Sequence, residues 1–363
     1  IWAFFIFHCG RSPVFGVTPH RTDRVSSMSH SSKGAIYMAA AANFLIAVAK
    51  FGGAAITGSA AMMSEGIHSL VDTGNQGLLL LGLKLSAKEA DEKHPFGYGK
   101  ETYFWSFLVA VMIFGLGAGV SIWEGVDKVI HPHALDVHVV ASVFGIDIRT
   151  YHVVFSILVI AMVLEGAAFR TAYRTFRAQH PDIPILKAVH SSKDPTVFVI
   201  LFEDSAALLG LVVACVGIAA AYGFDMPVLD GLASVVIGLI LAVTAFFLAV
   251  ECKGLLIGES ANVPSRKKID NIVSAIPGIL QVNEIITLHL GPQSLIVCIS
   301  VDFRDRLTSP EVEAAVSRLE IDIRHAVPEV SKVFIEAQNW LSHQDLLDQV
   351  RAAKETQNTG HPA

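Results

Sequence analysis

The sequence predicts a membrane protein: an all-α six-helix transmembrane domain followed by a cytoplasmic α+β domain (αββαβ, ferredoxin-like). Three observations predict this. Hydrophobic residues make up 52% of the 363 residues and charged residues only 17%, against about 25% charged in an ordinary soluble domain. Six apolar stretches reach the length that a bilayer-crossing helix needs, about 20 residues. After Glu251 the pattern changes to amphipathic helices and alternating strands. A mean hydropathy of +0.53 excludes a disordered chain or a freely soluble globule, since neither could keep so much apolar surface in water. The net charge of −6 carries no electrostatic footprint for nucleic acid. Cys9, Cys215, Cys252 and Cys298 are scattered and form neither a disulfide framework nor a metal knuckle by spacing.

Residues 1–32 form an N-terminal extension expected to be disordered. Its apolar run Ile1–Cys9 is too short to span, and Met28 is the expected start of the native chain. The transmembrane domain covers 33–251. Its spans run from about Ala35 to Ile56, Ala60 to Leu83, Phe104 to Val126, Val153 to Phe169, Val197 to Ala221 and Val228 to Val250. The very short connections before the second and sixth spans make those neighbours antiparallel. Lys84, Lys88, Lys93 and Lys100 follow span two, and Arg170, Arg174, Arg177, Lys187 and Lys193 follow span four, whereas Lys128 and Arg149 alone lie after span three. Because cytoplasmic loops carry the excess of Lys and Arg, both termini are expected in the cytoplasm.

The tail domain covers 252–340. Ile269, Ile272, Val273 and Ile276 follow helical spacing and Pro277–Gly278 stops that helix. Ile279–Leu290 reads as a strand, and Gly291–Pro292 as a turn. Leu295, Val297, Ile299, Val301 and Phe303 alternate as in a half-buried strand. Val312, Ala315, Val316, Leu319 and Ile323 make a second helix opened by Ser309–Pro310, and Val330–Gln338 a third strand. Residues 341–363 form a polar tail, helical or disordered.

Ionisable groups inside a span are costly and point to function. In span two, His68 and Asp72 are four apart, so they share one helical face. An imidazole and a carboxylate so placed suit a divalent metal such as Zn²⁺; a hydrogen-bonded structural pair is the alternative. In span five, Glu203 and Asp204 are adjacent carboxylates that point about 100° apart on a helix, so one is expected to face the metal. Lys50 in span one and Glu165 in span four can pair inside the bundle or face water. Asp91 and His94 are spaced for a weak surface metal site, and His131, His133 and His138 lie in the opposite loop.

These residues resemble the cation diffusion facilitator family, the zinc transporters of solute carrier family 30, over about Ser31 to Gln338. The resemblance is carried by Thr57-Gly58-Ser59, the span-two motif His68-Ser69-Leu70-Val71-Asp72, the loop His94-Pro95-Phe96-Gly97-Tyr98-Gly99-Lys100, Asp230 at the start of span six, and the αββαβ tail. Ser64-Glu65-Gly66 and Phe202-Glu203-Asp204-Ser205 are similar to the zinc transporter nine-like branch. The resemblance implies a homodimer that moves a divalent cation out of the cytoplasm in exchange for protons, with His68, Asp72 and Asp204 as ligands. The family's first span-five ligand falls at Ile200 here, which makes Glu203 the substitute. It also implies a zinc site in the tail near its last strand, where Glu336 and His289 are the residues at hand.

The expected cargo is Zn²⁺, with Mn²⁺ or Fe²⁺ as alternatives, because only one imidazole stands among oxygen donors. The expected partners are the metal ion, protons, the lipid bilayer and a second copy of the chain, with no nucleic acid. A bacterial inner membrane and an organelle membrane are both compatible. A non-transporting membrane sensor or scaffold is the second class of function. No loop carries a nucleophile–base pattern, so an enzyme is not expected.

Overall fold

The computed structural model describes residues 40, 43–132, 139–143, 146–181 and 183–359. The expectations for 1–32, His133 and His138 fall outside these residues. The first helix, α1, is described over Asn43–Thr57. It is joined through Gly58 and Ser59 to α2, Ala60–Ser86. Gly58 turns the chain at φ 65°, a value that costs a glycine nothing. The Ser59 hydroxyl then accepts from the Met62 N–H at 3.1 Å, satisfying one of the free donors at the helix start.

Next comes α3, Glu101–Ile130, with a π-helical stretch at Ile113–Ala118. A two-stranded hairpin follows, β1 (Val139–Val143) and β2 (Ile146–Arg149). After it come α4 (Thr150–Gln179) and a short α5 (Ile185–Ser191). The last two long helices are α6 (Pro195–Phe224) and α7 (Val228–Ile257). Asp194 caps α6 by accepting from the Thr196 N–H at 3.0 Å, and Asp225 ends it in the left-handed conformation at φ 53°.

Among the described residues four helices, α3, α4, α6 and α7, are long and apolar enough to cross a membrane. The second expected span, α2, is long enough but carries Ser64, Glu65, His68, Ser69, Asp72, Asn75 and Gln76, all buried. Its mean apolarity is low because it holds the polar residues of the bundle's interior. It packs against α3, α6 and α7, while α4 packs on α6. Tyr103, Phe198, Leu211, Ile237 and Leu241 fill the core between them. Val163, Val216, Val243 and Phe246 stand exposed on outer faces, as helices surrounded by hydrocarbon require.

The tail follows the expected order: α8 (Val263–Ala275), β3 (Ile279–Gly291), β4 (Ser294–Phe303), α9 (Ser309–Ala326) and β5 (Val330–Ala337). Strand β4 is central, antiparallel to β3 and parallel to β5. Alternate β4 residues Leu295, Val297, Ile299 and Val301 meet Ile269, Val273, Leu319 and Ile323 from the two helices in a second core. The polar tail is a helix, α10 (Trp340–Thr359).

Three local readings change. The loop after α3 contains a hairpin and the loop after α4 a short helix, neither expected. The cap of α9 is Thr308 and not Ser309. Its N–H and hydroxyl both donate to Glu311 Oε2, at 2.7 and 2.8 Å, because the Thr-x-x-Glu spacing sets a capping box one residue earlier.

Candidate metal-transport site

Helix α2 sets the site by spacing. Glu65, His68, Asp72 and Asn75 recur at three- and four-residue intervals, so they line one stripe of the helix. All four are buried, His68 to 1% exposure and Asp72 to 2%. His68 Nδ1 lies 3.4 Å from Asp72 Oδ1, but neither atom, nor His68 Nε2, makes a hydrogen bond. Buried polar atoms are normally satisfied, so an imidazole and a carboxylate with free lone pairs form a donor pair suited to a cation.

Helix α6 supplies the other side. Asn75 Nδ2 donates to Glu203 Oε1 at 2.7 Å, and the Glu203 carboxyl also interacts with that of Asp72. Asp204 is buried beside it on the next helical position, and Ile200, one turn before Asp204, is half-buried. The structure therefore sets the His68–Asp72 pair of α2 beside the Asn75–Glu203 bond that joins α2 to α6. Among the described residues no three His, Cys, Asp or Glu side chains are gathered closely enough to hold a metal ion.

Asn75 was not singled out from the sequence. Its place three residues after Asp72 is a signal that could have found it.

The pairing of Lys50 needs correction. Its ammonium donates to Glu65 Oε2 at 3.0 Å and to Ser69 Oγ at 2.8 Å, so the partner is Glu65 and not Glu165. The reason is contact between α1 and α2: the Phe51 ring lies against Gly66, where an added Cβ would sit 3.0 Å from it. Glu165 is buried with Oε1 unpaired. Gly210 on α6 leaves room for the Glu65 carboxylate, since a Cβ there would stand 2.4 Å from Oε1.

At the start of α2, Asp230 of α7 accepts from the Ser59 hydroxyl at 2.6 Å, the Ala60 N–H at 2.6 Å and the Ala61 N–H at 3.4 Å. A carboxylate at a helix N-terminus satisfies free donors and complements the helix dipole. Lys128 donates to the Gly58 carbonyl at 2.7 Å on the same turn. One turn into α2, the Ser64 and Ser234 hydroxyls hydrogen-bond.

At the surface positions singled out by spacing, Asp91 and His131 each have a protein partner. Asp91 accepts from the Tyr98 hydroxyl at 2.7 Å and the His94 N–H at 2.6 Å. These bonds, the Tyr98 bond first, hold its carboxyl below the usual carboxylate range. His131 sits 3.1 Å from Asp127 on an exposed turn. In the tail, burial pushes the His289 imidazole down. His289 pairs across the sheet with Leu295, whereas Glu336 pairs with Ser300. They stand at different rungs and form no common site.

The chain matches the cation efflux transmembrane domain family over residues 36–257. It belongs to the cation diffusion facilitator, or cation efflux, family. The family is one of multi-pass membrane transport proteins and not of enzymes. It is 32% identical over 298 residues to the proton-coupled zinc antiporter SLC30A9, mitochondrial, of Mus musculus, covering 81% of this chain and 50% of that protein. It is 30% identical over 249 residues to metal tolerance protein C4 of Arabidopsis thaliana, covering 68% and 51%. The chain thus spans about half the length of the curated relatives it matches. A MamM CTD variant in its cadmium form aligns with 21% of this chain and 94% of its own at 10% identity, with a TM-score of 0.20.

Proposed function

We propose that this facilitator exports a divalent cation, Zn²⁺ in preference to Mn²⁺ or Fe²⁺, in exchange for protons, by alternating access in a homodimer. His68, Asp72, Glu203 and Asp204 are its metal donors. The observation that carries the reading is the group of buried, unpaired donor atoms of His68 and Asp72 facing Glu203 across the α2–α6 contact, within the family's transmembrane domain. The relatives named as proton-coupled zinc antiporters support zinc as cargo and an organelle membrane as the location.

The donor chemistry also argues for exchange. Imidazole and carboxylates bind metal only when deprotonated, so protons and metal compete for the same atoms. A small shift of α2 against α6 would gather donors that are now only partly assembled. In this reading α1 and α2 complete a six-span domain over 33–251, with 252–340 a ferredoxin-like domain. The lysine-rich loop after α2, both termini and the tail lie in the cytoplasm. The sheet face bearing exposed Ile286 and Phe334 pairs with a second copy.

Zinc flux into proteoliposomes across an imposed pH gradient tests this. His68→Ala and Asp72→Ala should each abolish flux while the protein remains folded, and the wild type should be accelerated by a proton gradient running against the zinc movement. Unchanged zinc flux in folded His68→Ala would remove the site. Flux indifferent to the gradient would replace exchange by uniport.

A further inference from the structure

One buried charge in the bundle has no part in the donor set. Lys50 is 0% exposed on α1, and a buried ammonium is stable only with a counter-charge and hydrogen bonds. It has both, from Glu65 Oε2 at 3.0 Å and Ser69 Oγ at 2.8 Å. Glu65 stands on the same stripe of α2 as His68 and Asp72, three residues before His68 and so one turn closer to the Gly58–Ser59 end. Its second oxygen, Oε1, is buried and unpaired, in the space that Gly210 leaves on α6. From α4, Glu165 also presents a buried, unpaired Oε1. The ammonium is within electrostatic reach of His68, Asp72 and Glu165. The chain therefore holds a fixed cation of its own beside the donors, bonded both to Glu65, one turn before His68, and to Ser69, the residue after it.

We propose that Lys50 is a tethered counter-cation of the transport path: its ammonium neutralises Glu65, and by repulsion it weakens the hold of His68 and Asp72 on the divalent cation, speeding release past Glu65. This deepens the transporter reading and rests on it. A divalent ion at His68 and Asp72 meets a positive charge in a region of low dielectric, where unit charges interact far more strongly than in water. Without that charge the carboxylates would bind tightly and turn over slowly. With it, affinity is given up for release.

The test compares zinc affinity by calorimetry on the full chain in detergent with KM and turnover in proteoliposomes. Lys50→Met should lower the zinc Kd by at least about tenfold and lower turnover and KM together. Lys50→Arg should keep wild-type behaviour. Glu65→Gln leaves the ammonium unopposed and should raise Kd, and Lys50→Met combined with Glu65→Gln should bring Kd back toward the wild type. A packing role for Lys50 predicts a different result: Kd unchanged or raised in folded Lys50→Met. That outcome overturns the proposal. Should Lys50→Met not fold, wild-type affinity in Glu65→Gln overturns it equally. His68→Ala is measured beside them. Undiminished zinc binding there defeats the site itself, whereas lost binding there with no tightening in Lys50→Met defeats only the role of Lys50.

Discussion

Ile200 sits one turn before Asp204 on α6 and cannot ligate a metal. Glu203 is the nearest carboxylate to stand in for it, and the Asn75 amide holds Glu203 toward α2 at 2.7 Å. If Glu203 binds the cation, Glu203→Ala should weaken zinc affinity about as much as Asp204→Ala. Ile200→His should partly rescue Glu203→Ala and favour Zn²⁺ over Mn²⁺, because imidazole suits zinc and carboxylate oxygen suits manganese. Calorimetric titration of the variants checks this, and wild-type affinity in Glu203→Ala would take this residue out of the ligand set. The His68–Asp72 pair was legible in the sequence because a four-residue spacing fixes geometry within one helix. The Asn75–Glu203 bond joins residues 128 apart, and no local rule selects it. The same limit explains Lys50: whether it meets Glu65 or Glu165 depends on how α1 is rotated about its own axis, which spacing does not set.

At the scale of elements, glycines set how closely α3 and α7 approach. A Cβ on Gly125 of α3 would meet the Val235 nitrogen at 2.6 Å and the Gly231 carbonyl oxygen at 2.7 Å. A Cβ on Gly238 of α7 would meet the Ile122 nitrogen at 2.9 Å and the Ala118 oxygen at 3.0 Å. These are backbone atoms, so the whole helix would have to move. Gly231 and Gly238 are seven residues apart and lie on one face, the small-residue contact by which helices approach closely in a membrane. Gly125→Ala should destabilise the bundle by about 1–3 kcal/mol through overpacking. Gly166→Ala on α4, where nothing lies within 4 Å, should cost nothing. Thermal unfolding in detergent compares the two, and equal midpoints would contradict a glycine-set contact. The long apolar runs were readable as helices because 20 apolar residues leave few other choices. The β1–β2 hairpin was not, since a few valines and isoleucines in a connecting segment pair only once the helices on either side fix their ends.

At the scale of the whole molecule, the described residues join the sheet to the helical bundle at the far end of β3 and at Phe334 of β5. His289 N–H donates to the Glu259 carbonyl at 2.9 Å, and Thr287 Oγ1 accepts from the Ala261 N–H at 2.9 Å. The Glu259 carboxylate also pairs with Lys193, which precedes α6. On the other side the loop after α2 closes over the same strand end. A Cβ on Gly99 would stand 2.4 Å from the Leu290 carbonyl oxygen, Lys100 Nζ donates to the Leu256 carbonyl at 3.3 Å, and the Phe96 ring meets Phe334 edge-on at 6.5 Å. The ends of α2, α6 and α7 are thus tied to the sheet. The sequence showed the αββαβ order but not this junction, whose contacts join residues far apart in the chain, so no local spacing selects them. If the tail steadies the helix ends through this junction, Gly99→Leu should separate the loop from β3. Zinc flux should then fall several-fold with equilibrium zinc affinity unchanged, because the proposed donors His68, Asp72, Glu203 and Asp204 are buried inside the bundle and untouched. Limited proteolysis should cut the loop between residues 91 and 100 faster than in the wild type. Wild-type flux together with faster cleavage would mean that the docking holds the tail in place without acting on transport.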